Sequence, residues 1–142
     1  MSDSHDLNRF VEAQRGTDDQ ALQELQAGRK RSHWMWFIFP QIAGLGSSPM
    51  AQRYAISGID EAQAYLQHPD LGDRLRACTA AVNAVTGRSA LEIFGAPDNV
   101  KFRSSMTLFA RADPAAAEFR TALAAYFDGQ EDSRTVEKLS SR

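Results

Sequence analysis

Most hydrophobic residues of this chain recur at intervals of three and four, the spacing that places side chains on one face of an α-helix. The clearest case is a segment from about Asp70 to Thr86, in which apolar residues follow one another in steps of four and three. This stripe consists of Leu71, Leu75, Cys78, Val82 and Val85. Because Gly87 stands beyond its end, where helices commonly terminate, the pattern predicts one long amphipathic helix in the middle of the chain.

Start and stop signals divide most of the remaining sequence into shorter helices. The capping-box pattern, Ser or Thr followed three residues later by Glu or Gln, occurs at Thr17–Gln20 and at Ser89–Glu92. Ser48–Pro49 predicts another helix start, since proline is favoured in the first turn. Ser4 or Asp6 is expected to cap the first helix. The predicted helices cover about residues 7–14, 17–28, 48–54, 57–68, 70–86, 89–95, 97–109, 113–129 and 132–139.

Alternation with a period of two, which marks β-strands, is almost absent from the sequence. Only residues 34–39 fit such a pattern, and one strand alone makes no sheet. We therefore expect an all-α fold with about eight or nine helices, several of them short. At 142 residues, without a linker or a repeat, the chain has the usual size of one compact domain, which is expected to span residues 1–142.

The composition narrows the class of partner and the cellular compartment. With 24% charged residues and a net charge of −2, the chain lacks the basic balance that nucleic-acid binding requires. Its longest apolar run, Trp34–Phe39, is too short to span a membrane. The single cysteine, Cys78, cannot form an internal disulfide, and the N-terminal residues lack the basic and apolar regions of a secretion signal. These features predict a cytoplasmic protein.

Neither a metal nor a cofactor is expected. His5, His33 and His68 lack the spacing of metal ligands, and Cys78 lies on an apolar stripe. The Gly-rich segment Gly44–Pro49 is not a dinucleotide-binding motif, because proline occupies the third glycine position and no βαβ unit surrounds it. A turn of this kind before a helix can instead hold an anion on its backbone N–H groups, or it is a plain turn capped by Ser48.

The first candidate site is the aromatic segment at residues 32–41, which contains both tryptophans of the chain. Trp34 and Trp36 can stack on a planar ligand, and His33 can donate or accept a proton near neutral pH. The alternative is that the aromatic residues belong to the core and His33 caps a helix or bonds a carbonyl. The candidate ligand-binding residues here are Ser32, His33, Trp34, Trp36 and Gln41.

The second candidate site consists of Lys101, Ser104 and Ser105, which helical spacing places on neighbouring positions. A lysine with two serines can hold a phosphate or a carboxylate, and a desolvated lysine can activate a serine as a nucleophile. The plain alternative is helix packing, with the lysine stem lying along apolar surface. His33 and Lys101 are the candidates for a catalytic role, and whether the protein is an enzyme stays open.

Three further polar features carry an interpretation, and that of Asp132 stays open. Asp132 is either a helix cap or an acid of the site, and Asp98 is expected to cap a helix. The basic run Arg29–Arg31 is interpreted as a solvated loop at a helix C-terminus, where the helix dipole favours cations.

Several of these strings resemble the DUF1810 family. The matching segments are residues 6–14, 32–41, 44–46, 54–56, 61–66, 68–69, 71–72, 101–109 and 132–135. The resemblance implies a small, mainly helical, cytosolic protein of bacterial type, and it implies no activity. Some relatives carry the label calpastatin, but calpain-inhibitor repeats are disordered, whereas this chain is patterned to fold.

Together these features predict one pocket for a small, anionic and partly planar ligand, such as a nucleotide or an ADP-ribose-like molecule. A tryptophan would stack on it, His33 and Gln41 would donate hydrogen bonds, and Lys101 with Ser104 would hold the charge. The alternative is a non-enzymatic interaction or structural protein, either monomer or homodimer. In that case the apolar stripes at residues 71–85 and 119–127 would be partly interface.

Overall fold

The computed structural model describes residues 4–140, and this part of the chain contains ten helices and no sheet. The helices are α1 (Asn8–Gln14), α2 (Asp18–Gln26), α3 (Met35–Ile38), α4 (Pro49–Arg53), α5 (Ile59–Gln67), α6 (Pro69–Ala84), α7 (Ala90–Phe94), α8 (Asp98–Ala112), α9 (Ala117–Phe127) and α10 (Ser133–Ser140). The prediction of an all-α fold with several short helices is confirmed.

The tenth helix, α3, lies in the aromatic segment that the sequence left open as a strand. It is one turn long, with hydrogen bonds from Ile38 N to Trp34 O at 3.1 Å and from Phe39 N to Met35 O at 3.2 Å. A turn this short carries no helical period in its sequence, which explains why the pattern predicted nine helices at most. Extended pairing is limited, within residues 4–140, to an isolated parallel bridge between Ile42 and Ile56.

Helix α8 lies at the centre of the molecule and contacts α5, α7, α9 and α10. All seven residues from Ser104 to Ala110 are buried, so this stretch is enclosed on every side rather than on one face. Its small polar side chains return hydrogen bonds to their own helix. Ser104 Oγ donates to Val100 O at 3.2 Å, and Thr107 Oγ1 donates to Arg103 O at 2.8 Å. This internal bonding is what makes the burial of these hydroxyls tolerable.

Helix α6 forms the second layer, because it packs against α2, α5 and α9. Four members of the predicted stripe are confirmed, since Leu71, Leu75, Cys78 and Val82 are all buried on this helix, whereas Val85 follows its last residue and is half-buried. At its start the helix passes so close to α5 that a Cβ atom on Gly72 would collide with the carbonyl oxygen of Leu66. Glycine at this position therefore allows the sharp corner between α5 and α6.

The capping signals were partly right. Ser48 accepts a hydrogen bond from Ala51 N at 3.1 Å, and Ser89 with Glu92 forms the expected capping box at α7. His68 caps α6, because its Nδ1 accepts from the backbone N–H groups of Asp70 and Leu71 at 3.1 and 3.3 Å.

The expected caps of the first two helices were wrong. Neither Ser4 nor Asp6 caps the first helix, which begins after Leu7 without a side-chain cap. Thr17 precedes α2 but makes no capping hydrogen bond. The Gln20 side chain of that expected capping box is engaged elsewhere, since its Nε2 donates to Glu24 Oε2 at 3.1 Å and to Ser32 Oγ at 2.6 Å.

The apolar stripes considered as interface lie mostly inside the core of this chain. The buried members include Leu75 and Val82 on α6 and Phe119 and Leu123 on α9. Large hydrophobic side chains that are exposed, among the described residues, are scattered: Met50, Leu91 and Val100. No helix within residues 4–140 combines the length and the apolar character that crossing a membrane requires.

Candidate functional site

Three segments that are distant in sequence meet at a cleft of about 390 Å³. They are the loop and helix at residues 41–51, the first half of α8, and the start of α10. The lining residues are Gln41, Leu45, Gly46, Ser47, Ser48, Ala51, Pro97, Val100, Lys101, Ser104, Asp132 and Arg134. The volume lies at the lower end of the range for small-molecule sites. The cleft brings together polar residues from both candidate sites and from the Gly-rich turn.

Local hydrogen bonds hold the wall formed by residues 41–51. Ile56 N donates to Gln41 O at 2.8 Å, which anchors the start of this segment. Arg134 Nη2 reaches across from α10 and donates to Leu45 O at 3.4 Å. Gly44 has a φ of +97°, a backbone conformation that favours glycine, and the side chain of Lys138 lies directly over it. The turn is therefore packed against α10 rather than free in solution.

Lys101 projects from α8 between a carboxylate and an aromatic ring. Its Nζ atom lies 3.6 Å from Asp98 Oδ1 and 5.2 Å from the centre of the Trp36 ring. The other oxygen of Asp98 is 3.0 Å from Lys30 Nζ, whose side chain is only 8% exposed. Two lysines thus share one carboxylate, which leaves one positive charge in excess at the edge of the cleft.

Lys30 and Asp98 differ from their sequence-based interpretation. Lys30 does not belong to a solvated loop, since it is buried against Asp98 and lies 5.0 Å from the centre of the Trp34 ring. Asp98 is the first residue of α8 rather than its cap, and it makes ion pairs in place of a capping bond. The sequence could not show which of the three basic residues would be buried, because all of them carry the same charge.

The two serines of α8 have different surroundings. Ser104 lines the cleft and is 3% exposed, with its hydroxyl donated to Val100 O. Ser105 points into the core, where it is fully buried, and its Oγ has no hydrogen-bond partner among residues 4–140. Helical spacing had placed both next to Lys101, but only Ser104 shares the cleft with it.

Asp132 both caps α10 and lines the cleft. Its Oδ2 accepts hydrogen bonds from Thr135 N at 2.9 Å and from Thr135 Oγ1 at 2.6 Å. Its backbone N–H donates to Thr107 Oγ1 on the central helix at 2.9 Å. These bonds fix the first turn of α10 against α8, so the position of Arg134 follows from the same contacts.

Comparison with known proteins decides the family. The model of the family described as "Protein of unknown function (DUF1810)" matches residues 4–139. The chain belongs to the DUF1810 family. It is similar to the conserved hypothetical protein Rv1873 from Mycobacterium tuberculosis, whose crystal structure at 1.38 Å superposes with a TM-score of 0.96. The two sequences are 59% identical, over 97% of this chain and 99% of that one. A comparison with curated proteins gave no match.

The start of the aromatic segment in this DUF1810 protein surrounds a carboxylate that the sequence did not single out. Glu24 Oε1 accepts hydrogen bonds from Arg31 N at 2.6 Å, Ser32 N at 3.0 Å and Trp34 Nε1 at 3.0 Å. Glu24 Oε2 accepts from Ser32 Oγ at 2.7 Å and from Gln20 Nε2 at 3.1 Å.

These contacts set the protonation state of Glu24. Burial by itself raises the pKa of this carboxyl, but the hydrogen bonds from Ser32, Arg31 and Trp34 outweigh it and hold the pKa at about 2. Glu24 is therefore charged at neutral pH and saturated with donors. It fixes the chain where it leaves α2 and enters the aromatic segment.

The residues of the first candidate site do not lie together in the structure. Trp34 is fully buried and bonded to Glu24, so it presents no face to a ligand. Trp36 is half-buried beneath Lys101 and is not among the lining residues of the cleft. Ser32 is engaged with Glu24, and His33 is exposed and lines none of the described pockets. Gln41 alone of this set lies in the cleft with Lys101 and Ser104.

Arg134 is the cleft residue that sequence reasoning missed. It lies in the first turn of α10, where the helix dipole disfavours a cation. This unfavourable position could have identified Arg134 from the sequence, because a cation at a helix N-terminus indicates a compensating contact or a ligand. Within residues 4–140, His, Cys, Asp and Glu side chains form no group of three suited to a metal ion.

Proposed function

We propose that this DUF1810 protein binds a small anionic ligand in the cleft between residues 41–51, α8 and α10. The observation that carries the proposal is the presence of two cations, Lys101 and Arg134, that enter one cleft from different helices. The opposing carboxylate, Asp132, has one of its oxygens occupied by Thr135. The polar groups of the cleft that can donate to an anion are those of Gln41, Ser47 and Ser48.

The charge on Lys101 is available to such a ligand. Asp98 lies closer to Lys30, at 3.0 Å, than to Lys101, at 3.6 Å, so Lys30 takes the larger part of its attraction. Arg134 is exposed, and the bond that it donates to Leu45 is long, at 3.4 Å. Both cations can therefore turn toward an anion without breaking a strong bond.

The structure supports the anionic part of the expected ligand better than its planar, nucleotide-like or ADP-ribose-like part. Trp36 is the aromatic residue next to the cleft, and Lys101 covers it, so stacking would require the lysine to leave the ring. His33 lies outside the cleft lining, and the Ser104 hydroxyl donates its hydrogen to Val100 O rather than to a base. The proposal is therefore one of binding rather than catalysis.

A thermal-shift titration tests the proposal. The probes are inorganic phosphate, sugar phosphates, nucleotides, ADP-ribose and small carboxylates, with wild type beside Lys101→Met and Arg134→Gln. A ligand at a hundred times its dissociation constant adds about 2.7 kcal/mol of stability, or several degrees for a domain of this size. We expect a shift that both variants lose.

Arg15→Gln is the matched control for charge, because Arg15 is exposed and pairs with the exposed Glu12 away from the cleft. It should retain the full shift. A shift that persists in the Lys101 and Arg134 variants, or no shift with any anion, would overturn the proposal.

An interaction role, as a homodimer, is the second candidate function. Its support is a groove of about 470 Å³ between α2 and α6, where exposed alanines allow close approach of another helix. The residues that line it include Leu22, Ala77, Ala80, Ala81 and Ala84. Sedimentation velocity over a range of concentrations should show a dimer that Ala80→Glu abolishes. A monomer at every concentration would remove this candidate.

A further inference from the structure

We infer that the ligand of the cleft is an aliphatic phosphate ester that carries several hydroxyl groups, of the sugar-phosphate class, rather than a nucleotide. This inference rests on the proposed function, because it names the chemistry of an anion bound at the same site. Three features of the cleft carry it: the absence of an aromatic wall, the placement of Asp132, and the mixture of hydroxyl and amide groups.

The first feature concerns the bases of nucleotides. Among the described residues, none that lines the cleft is aromatic. Proteins that bind bases commonly stack them on aromatic faces, and this stacking is a large part of the affinity. Trp34 is fully buried, and the Trp36 ring is covered by Lys101 at 5.2 Å. A base entering this cleft would lose its hydration without gaining a ring partner.

The second feature is a carboxylate in a cleft with two cations. Asp132 Oδ2 accepts from Thr135, whereas Oδ1 accepts no hydrogen bond from the described residues. An anion alone would be repelled by this carboxylate at short range. A ligand that joins a phosphate to hydroxyl groups satisfies both ends, because the phosphate can face Lys101 and Arg134 while a hydroxyl donates to Asp132 Oδ1.

The third feature is the remaining polar lining. Ser48 Oγ accepts from Ala51 N, which leaves its own O–H to donate. Ser104 Oγ donates to Val100 O, which leaves its lone pairs to accept from a ligand hydroxyl. Gln41 supplies an amide with both donor and acceptor capacity. Hydroxyl groups, which donate and accept at once, match such a set better than a carboxylate or a bare phosphate does.

Apolar patches of the cleft are small. They come from Leu45, Ala51, Pro97 and Val100. Patches of this size suit the C–H faces of a carbon chain or a sugar ring, whereas a base needs a broader flat surface. The volume of about 390 Å³ also favours a single small ester over a dinucleotide-sized ligand.

Isothermal titration with three probes tests the inference: inorganic phosphate, glucose 6-phosphate as a representative sugar phosphate, and adenosine 5′-monophosphate. We expect glucose 6-phosphate to bind about tenfold more tightly than either other probe, as one or two additional hydrogen bonds to charged groups would give. Equal or tighter binding of the nucleotide would overturn the inference while leaving the proposed function in place. No binding of any of the three would overturn the inference, and the proposed function would then depend on the carboxylate probes of the thermal-shift titration.

The variant Asp132→Asn gives a second, independent readout. Asparagine is as good a helix cap as aspartate, so α10 should keep its first turn. Because the carboxylate is lost, the preference for glucose 6-phosphate over inorganic phosphate should fall several-fold, while inorganic phosphate should bind as well as before or more tightly. An equal loss for both probes would contradict the role of Asp132 in binding hydroxyl groups. Arg15→Gln serves as the control that should change neither affinity.

Discussion

Lys30 and Asp98 form an ion pair with Nζ 3.0 Å from Oδ2, in which the lysine side chain is 8% exposed and the aspartate side chain 18%. On one side of this pair, Lys30 lies over the ring of Trp34. On the other side, Asp98 reaches Lys101 at the cleft. The pair therefore connects the buried aromatic segment with the cleft, and substitutions in it should change how Lys101 presents its charge.

Substitutions of Lys30 and of Asp98 should change anion affinity in opposite directions. Lys30→Met leaves Asp98 to Lys101 alone, so anion affinity should fall several-fold although no lining residue has changed. Asp98→Asn frees Lys101, so affinity should rise. Titration of phosphate at low and high salt measures both. A change of the same sign in the two variants would contradict this coupling, and Glu12→Gln, at an exposed ion pair, should have no effect.

Glu24→Gln should destabilise the fold by about 2–3 kcal/mol, because hydrogen bonds to a charged acceptor are stronger than those to a neutral one. The donors from Arg31, Ser32 and Trp34 would then meet an amide, one side of which is itself a donor. Urea denaturation measures the loss. Glu12→Gln is the control, since Glu12 is 52% exposed and should change stability by less than about 0.5 kcal/mol. Equal stability of the two variants would argue against the Glu24 network.

The same carboxyl predicts how stability depends on pH. The folded pKa of Glu24, about 2, lies below its ordinary value of 4.5, so the unfolded chain takes up a proton first as pH falls. The stabilisation is thus complete above about pH 5 and is lost between about pH 4.5 and 2. The difference in unfolding free energy between wild type and Glu24→Gln should shrink over this window. A difference that stays constant through acid pH would show that Glu24 does not carry it.

Two substitutions in the central helix should act in opposite directions. Ser105→Ala removes a buried hydroxyl that has no partner among the described residues, so stability should stay equal or rise by up to about 1 kcal/mol. Thr107→Val keeps the shape but leaves the backbone N–H of Asp132 without its acceptor, which should cost about 1–2 kcal/mol. Chemical denaturation of both variants measures this contrast. Destabilisation by Ser105→Ala beyond that of Thr107→Val would contradict the assignment.

Gly72→Ala should destabilise the protein by about 3 kcal/mol or more, because the added methyl group meets the carbonyl oxygen of Leu66 rather than a movable side chain. Thermal unfolding measures the effect. Asp73→Ala, at the next and exposed position of the same helix, should change little. A stable Gly72→Ala protein would mean that α5 and α6 can separate at their corner without cost.

Helix positions were predictable where capping residues and helix-terminating residues mark the ends of a helix in the sequence. Ser48 and Ser89 cap their helices as predicted, because each side chain accepts a hydrogen bond from a backbone N–H group in the first turn that follows. The expected capping box at Thr17 failed because the Gln20 side chain bonds Glu24, one turn along its own helix, and Ser32 across the fold. Full burial of Ser104–Ala110 was not predictable either, since it depends on how many helices surround α8 rather than on its own period.

The cleft was predictable in part. Gln41, Lys101, Ser104 and Asp132 were singled out by their chemistry, but only the fold could show that they meet. Glu24 was missed because all of its donors except Gln20 come from residues 31–34, beyond the end of its own helix. Its position three residues after buried Ala21 was the signal that a carboxylate faced the interior.

The cleft needs the start of α10 as its last wall, and that wall is held by the bond from Asp132 N to Thr107 Oγ1. The contacts among α5, α6, α8 and α9 do not involve α10, whereas the cleft takes Asp132 and Arg134 from this part of the chain. A ligand can therefore be held there only after residues 132–134 have been synthesised and α10 has docked against α8. We therefore expect proteolytic removal of α10 to abolish any binding in the cleft although no residue of α8 has changed.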